Sequence, residues 1–461
     1  MTPLPVHEDS GPSNDGRQRF PEGFTLAVAT VFGAVIVLAA LLGVGQLTDT
    51  SDADVVTDST TSAPTTTGPA TADEGEEASG FGDLPPDDDD AAEAAPEPDV
   101  TQPDGEAADQ ERPQVDSLAC PDGVDPVICD AADFVQQVRG RPFRTFPEVE
   151  ILDDAEFDRE LLSDFDEYRE DLEVDDVTLT ALGLLDPEAS LAETFRESLE
   201  VAVVGFYDPE TGQLVVRGAD FSLYSQLVLV HELVHAFDDQ WFDLDRDDFA
   251  DGEADYGFSA VVEGNASRVE ALWREQLSSQ HQLQLTQEEL TALSPEDLDR
   301  LFSLPPVVQD LQGSPYLDGE RYVSELAATG GEAAVDDALM TPPVTSEEIL
   351  HPGTDRSIDA EIVVPAPPAG GTVIDEGRLG ELVVRLWLGR LAGEGWGGDR
   401  YVTWSAGGED CIAVDLVGDD AQETVELDAA ADAWAGLGSD TRQVDSITVD
   451  GRPAVRVTAC A

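Results

Sequence analysis

Apolar residues fall into three regimes along this chain. Phe24 to Gly45 is a run of 22 residues without a charge, and at about 1.5 Å per helical residue it matches the roughly 30 Å core of a bilayer. Residues 48–116 are the reverse: Asp, Glu, Thr, Ser, Pro and Ala dominate, with Thr65-Thr66-Thr67 and Asp87-Asp88-Asp89-Asp90 among them, and there is little to bury. Such a segment predicts a disordered, self-repelling linker. From Leu118 onward short apolar groups recur at helical or strand spacing, the mark of a folded part.

Within that part, helical patterns cover Asp130 to Val138 and Asp154 to Leu172. Val201 to Tyr207 and Gln213 to Arg217 read as strands, and Asp208-Pro209-Glu210-Thr211-Gly212 between them predicts a hairpin. Ser222 is the expected N-cap of a densely apolar helix through Gln240, directly after a sheet edge along which a substrate chain could lie. Asp255 to Leu277 forms a second helix with Phe258, Val262, Val269, Leu272 and Trp273 inward. A Pro- and Gly-rich junction at 364–371 precedes a helix at Leu379–Leu391, strands at Arg400–Trp404 and Cys411–Leu416, a helix at Ala421–Trp434 and two last strands ending at Cys460. The predicted fold class is α+β: a tail over 1–23, a transmembrane signal anchor over 24–47, a linker over 48–117, a main domain over 118–368 and a small α/β subdomain over 369–461.

Charge sharpens the topology. There are 99 acidic residues against 23 basic ones, all of them Arg, for a net charge of −76. Residues 117–461 alone hold 74 acidic residues and 20 Arg, a balance of 20 − 74 = −54. A nucleic-acid partner is excluded on that balance, and a solvated acidic coat is expected. Arg17 and Arg19 precede the apolar run, and no basic residue follows it until Arg112. The N-terminus is therefore expected in the cytoplasm and the remainder outside, on a single-pass anchor in the cell membrane. A cleaved signal peptide is the alternative, opposed by the long leading region and the lack of a small-x-small cleavage site. The four cysteines suit an external location: Cys120 and Cys129 flank a short turn-rich loop, and Cys411 and Cys460 lie in separate strand-like segments, so two disulfides are expected.

The chemistry is concentrated in His231-Glu232-Leu233-Val234-His235, which uses two of the chain's five histidines. On a helix, positions i and i+4 turn both imidazoles to one side, where they can hold one zinc ion while Glu232 reaches a water on it. A catalytic zinc needs a third protein ligand. Trp241 stands where a metzincin would place its third histidine. Glu263, on the second helix and 28 residues after His235, is the candidate, with Glu270 as runner-up on the same helical side. Asp243 to Asp255 is a weaker candidate for Ca2+, because Asp248 and Ala254 occupy the Gly and Glu positions of an EF-hand loop.

In His231, Glu232, His235 and Glu263 the chain resembles the glutamate-liganded zincin (gluzincin) peptidases, in which Glu-Gly-x-Ala recurs as it does here at 263–266. His231 to Gln240, Val262 to Ser267, Leu350-His351-Pro352 and Gly395 to Tyr401 resemble, more closely, a group of secreted or membrane-anchored neutral zinc metallopeptidase-like proteins. The resemblance implies a zincin-like catalytic domain, one catalytic Zn2+, Glu232 as general base and a protein or peptide substrate. For the oxyanion donor His351 is the candidate, with Tyr256, Tyr316 and Tyr322 as rivals. Some members orient a zinc histidine with an Asp four residues past the ligand Glu, but Ser267 stands there, leaving Asp238 or Asp239 for that role. The competing reading is a non-catalytic surface interaction or scaffold protein that retains the zincin fold, and an intact Glu232 speaks against it.

Overall fold

The structure, a computed structural model, describes residues 115–461 except 164, 219–220, 247–248, 354–361 and 439–440. The apolar run at 24–45 and nearly all of the acidic linker lie outside the described residues. Among the described residues no helix is long and apolar enough to cross a membrane.

Helix α1 (Pro126–Arg139) starts where Asp125 accepts the Val127 amide and Pro126 fills a position whose N–H would have no partner; Gly140, at φ 70°, ends it. A three-stranded sheet then builds in the order β1 (Val149–Leu152), β3 (Gln213–Arg217), β2 (Gly205–Asp208), with β1 parallel and β2 antiparallel to β3. The expected hairpin is therefore present, but its first strand begins at Gly205. Val201 and Ala202 instead finish α4 (Leu191–Ala202), whose inner positions Leu191, Phe195, Leu199 and Ala202 keep helical spacing. The pattern at 154–172 likewise splits into α2 (Asp154–Leu161) and α3 (Phe165–Leu182).

Helix α5 (Leu223–Phe242) is capped by Ser222, which accepts the Ser225 amide, and 14 of its 20 residues are buried. A helix apolar on all sides must be enclosed. The three-stranded sheet, α1 and α6 (Gly252–Gln276, capped by Asp251) enclose it. Residues 278–350, where the sequence pattern marks no elements, are helical: α7 (Ser279–Ala292), α8 (Pro295–Ser303), α9 (Pro306–Gly330), α10 (Glu332–Met340) and α11 (Ser346–Leu350). Helix α9 crosses α6 at glycines. A Cβ on Gly264 would strike the backbone of Gly319, and one on Gly319 would strike the carbonyl of Ala260, so this approach requires glycine on both helices.

The C-terminal strands form a five-stranded antiparallel sheet in the order β4 (Thr372–Gly377), β5 (Trp396–Ala406), β6 (Glu409–Gly418), β8 (Arg452–Cys460), β7 (Gln443–Val449). Helices α12 (Gly380–Leu388), α13 (Arg390–Gly393) and α14 (Ala421–Leu437) accompany it, the last opened by a capping box of Asp420 and Glu423. Both expected disulfides form, Cys120–Cys129 and Cys411–Cys460, the second joining directly paired residues of β6 and β8. One buried cluster runs from Phe157 and Leu179 through Val262 and Leu311 to Trp396, Val414 and Val457, so the helices and the five-stranded sheet share a core. The fold is α+β.

At that shared core Glu253 is 5% exposed and accepts hydrogen bonds from the Ser346 amide (2.8 Å) and hydroxyl (2.9 Å). Burial raises its carboxyl from 4.5 to about 8, against the opposing pull of Ser346 and Arg378. Folded Glu253 thus keeps a proton that the unfolded chain has lost between those two values, and its contribution to stability falls as pH rises through that window, at about 1.4 kcal/mol per unit. Glu253→Gln is expected to flatten that slope in urea midpoints taken at pH 5, 6.5 and 8; a slope identical to wild type would exclude Glu253 as its source.

Candidate metal centre

The three expected ligands come together. His231 and His235 of α5 and Glu263 of α6 each bring one ligand atom to within 4.8 Å of the others, the only such convergence among the described residues. Glu263 Oε2 lies 3.2 Å from His231 Nε2 and 3.5 Å from His235 Nε2. Exposure is 0% for His231, Glu232 and His235 and 1% for Glu263. The runner-up ligand, Glu270, is placed differently. Its Oε2 lies 3.4 Å from Nδ1 of His231, on the far side of the ring from Glu263. Such a carboxylate behind a metal-binding imidazole holds the ring's orientation and tautomer, so Glu270, one turn beyond Ser267, occupies the position from which a histidine is oriented.

The electrostatics are those of a buried charged cluster. Burial raises the Glu263 carboxyl, but His235 and His231 outweigh it and hold it at about 2. Burial likewise lowers His231, yet Glu263 and Glu270 carry it up to about 10. His235 is left below its ordinary value, chiefly by burial. Glu232 is pushed well above the usual carboxylate range by burial, with Glu263 and Glu270 adding repulsion against the pull of His231. Neither of its carboxylate oxygens has a hydrogen-bond partner; the Tyr207 amide favours its charge only weakly. An unpartnered buried carboxylate costs about 1–3 kcal/mol or more. A cluster of two imidazoles, one low-pKa carboxylate and one orphaned carboxylate fits a group that brings positive charge and a hydrogen-bond donor, as a divalent cation with a water does.

Other residues hold this cluster in register. The ring of Tyr316 on α9 stacks on His231, with centroids 6.0 Å apart and planes at 24°. Strand β2 presses on α5 so closely that a Cβ on Gly205 would stand 2.6 Å from Val228 and 3.3 Å from the Glu232 side chain. At the end of α5, Asp238 accepts from Arg139 Nε (3.2 Å) and Asn265 Nδ2 (2.5 Å), and Asp239 accepts from the Tyr207 hydroxyl (2.6 Å) and the Leu244 amide (2.9 Å). Arg139 also binds Asp336 (2.8 Å) and Glu332, and Arg268 joins Glu332 (3.0 Å) to Asn265 (2.9 Å). This polar web ties α1, α5, α6 and α10 together behind the ligands. Sequence reasoning missed Arg139, Arg268 and Asp336, and only the polarity of Asn265 and Arg268 within an otherwise apolar helix hinted at it.

The remaining candidates lie elsewhere. His351 follows α11, its Nε2 2.9 Å from Glu381 of α12, and it is not a member of the converging group. The Tyr256 hydroxyl meets Ser314 at 2.6 Å, and Tyr322 lies two turns beyond Tyr316 on α9. In the acidic loop, Asp251 caps α6 and pairs with Arg378, while Asp247 and Asp248 are outside the described residues. No family model, curated protein or solved structure matches the chain.

Proposed function

We propose that the protein is a zinc metallopeptidase of the glutamate-liganded zincin kind, anchored in the membrane by residues 24–47 with its folded part outside the cytoplasm. One observation carries this reading: two helices bring His231, His235 and Glu263 to a common point beside a buried Glu232 that has no hydrogen-bond partner. His231, His235 and Glu263 would hold Zn2+, which when bound polarises a carbonyl and makes a water more acidic. Glu232, adjacent in sequence to the ligand His231, takes the proton from the attacking water and returns it to the leaving amine. Glu270 keeps Nε2 of His231 directed at the ligand cluster by facing Nδ1. We assign the oxyanion-donor role to Tyr316 rather than His351, because Tyr316 stacks on a ligand while His351 is engaged with Glu381. Strand β2, an edge of its sheet beside Glu232, gives an extended peptide a backbone to pair with.

The test is metal analysis of the purified full-length chain together with cleavage of a diverse peptide library. One zinc per chain and hydrolysis that a chelator abolishes and added zinc restores are expected. Stoichiometric zinc without turnover would favour the scaffold reading, and hydrolysis untouched by chelation would refute the zinc mechanism.

A further inference from the structure

The metal cluster is fully buried, and what lies over its Tyr316 side is lightly held. Tyr316 belongs to a small buried cluster with Ala202, Leu301 and Leu304. Leu301 and Leu304 come from residues 279–304, the arm made of α7 and α8. In α7 only Leu285 is buried, seated at 0% exposure in the core around α5, and in α8 only Leu301, whereas Leu283, Leu290 and Phe302 are 61%, 67% and 54% exposed. Polar contacts fasten the arm, among them Gln282 Nε2 donating to the Arg274 carbonyl (3.2 Å) at the end of α6. Glu288 accepts the Tyr224 amide (3.0 Å) in the first turn of α5, Glu289 pairs with Arg274 (3.0 Å), and Arg300 donates to Glu197 of α4 (2.9 Å). Segments with few buried apolar side chains and partly exposed ion pairs are the first to open in native proteins, well below the free energy of global unfolding.

We propose that the arm 279–304 is a lid over the Tyr316 face of the metal centre, latched by Glu288 and Arg300, and that its opening admits metal and substrate. The lid rests on the metallopeptidase reading for its purpose but not for its motion. Closed, it leaves both histidines and Glu232 at 0% exposure, so a chelator as well as a peptide must await opening. Neither latch residue belongs to the ligand cluster. Arg300 touches α4 and α8 alone, so its effect separates the lid from any disturbance of α5.

Two measurements on the zinc-loaded full-length protein test this: hydrogen exchange resolved by segment, and the rate at which a chromogenic chelator removes zinc. Wild type is expected to exchange at 279–304 by local opening, at least tenfold faster than α5 and α6. Arg300→Ala alone, and more so Glu288→Ala with Arg300→Ala, should speed both arm exchange and zinc removal, the double variant by roughly tenfold or more, with an unchanged thermal midpoint for the rest of the fold. Protection of the arm equal to that of α5, or accelerated arm exchange with zinc removal unchanged, overturns the lid. Failure to retain zinc at all overturns the metal reading instead, whatever the exchange shows.

Discussion

Glu232→Gln is expected to lower peptide hydrolysis by about 10²- to 10⁴-fold, the range of a lost general base, while the chain still binds one zinc ion. The substitution keeps the shape of the side chain and removes the group that accepts the proton. Glutamine occupies the same buried pocket with a side chain of nearly equal volume and a polar head of the same size, so the urea midpoint of the variant is expected to stay close to that of wild type. The combination is diagnostic: a purely structural role would reduce stability and activity together. Rates from progress curves on a fluorogenic peptide, beside zinc content by mass spectrometry, decide it, and hydrolysis retained in full would remove Glu232 from the mechanism.

Arg139→Ala is expected to destabilise the fold by about 3–5 kcal/mol, the usual cost of breaking a buried charge network by removing one partner. Arg139 is 1% exposed and is the cation facing Asp238, which is 0% exposed, and Asp336, which is 8% exposed. Its guanidinium also lies 5.7 Å from the ring centre of Phe237 and 5.9 Å from that of Phe242. Removing it leaves buried Asp238 with no cation and only the Asn265 amide as donor, and leaves Asp336 to Arg141 alone, so the carboxylate that Asn265, two residues from Glu263, is bonded to is no longer held in place. Zinc affinity should therefore fall along with stability. Chemical denaturation gives the first effect and competition with a chelator the second; a loss of stability below about 1 kcal/mol would mean that Arg268 and solvent compensate for Arg139.

How much could be read from the chain follows from where the constraints lie. The ligand helix was legible because its signals are local: Ser222 caps it, its apolar run is dense, and the histidine spacing matches one helical turn. Glu263 could be found since its helix has a regular inner stripe. Helix α9 was not, because Gly313, Pro315 and Gly319 interrupt its pattern. Those residues disfavour a helix locally, and Gly319 is there for a contact with α6 that sequence does not display. Glu270 was seen on the correct face of α6, but only the placement of both rings of the histidine pair shows which nitrogen it meets. The hairpin boundary failed for a simpler reason: the apolar run Val201-Ala202-Val203-Val204 satisfies a helix end and a strand start equally well.

The glycine contact between α6 and α9 also decides what can move. Gly264 is covalently next to the ligand Glu263, and Gly319 is one turn past Tyr316, so the weld between the helices fixes the aromatic ring and the ligand to a single rigid body. The arm enters that body through Leu304-Pro305-Pro306, where Pro305 is extended (ψ 135°) and α9 begins at Pro306. That junction lies outside the weld, as does the extended Leu277-Ser278 link (ψ 145° and 151°) through which the arm leaves α6. Tyr316 consequently stays over His231 whether the arm is up or down, and opening uncovers a constellation already assembled instead of building one around each substrate.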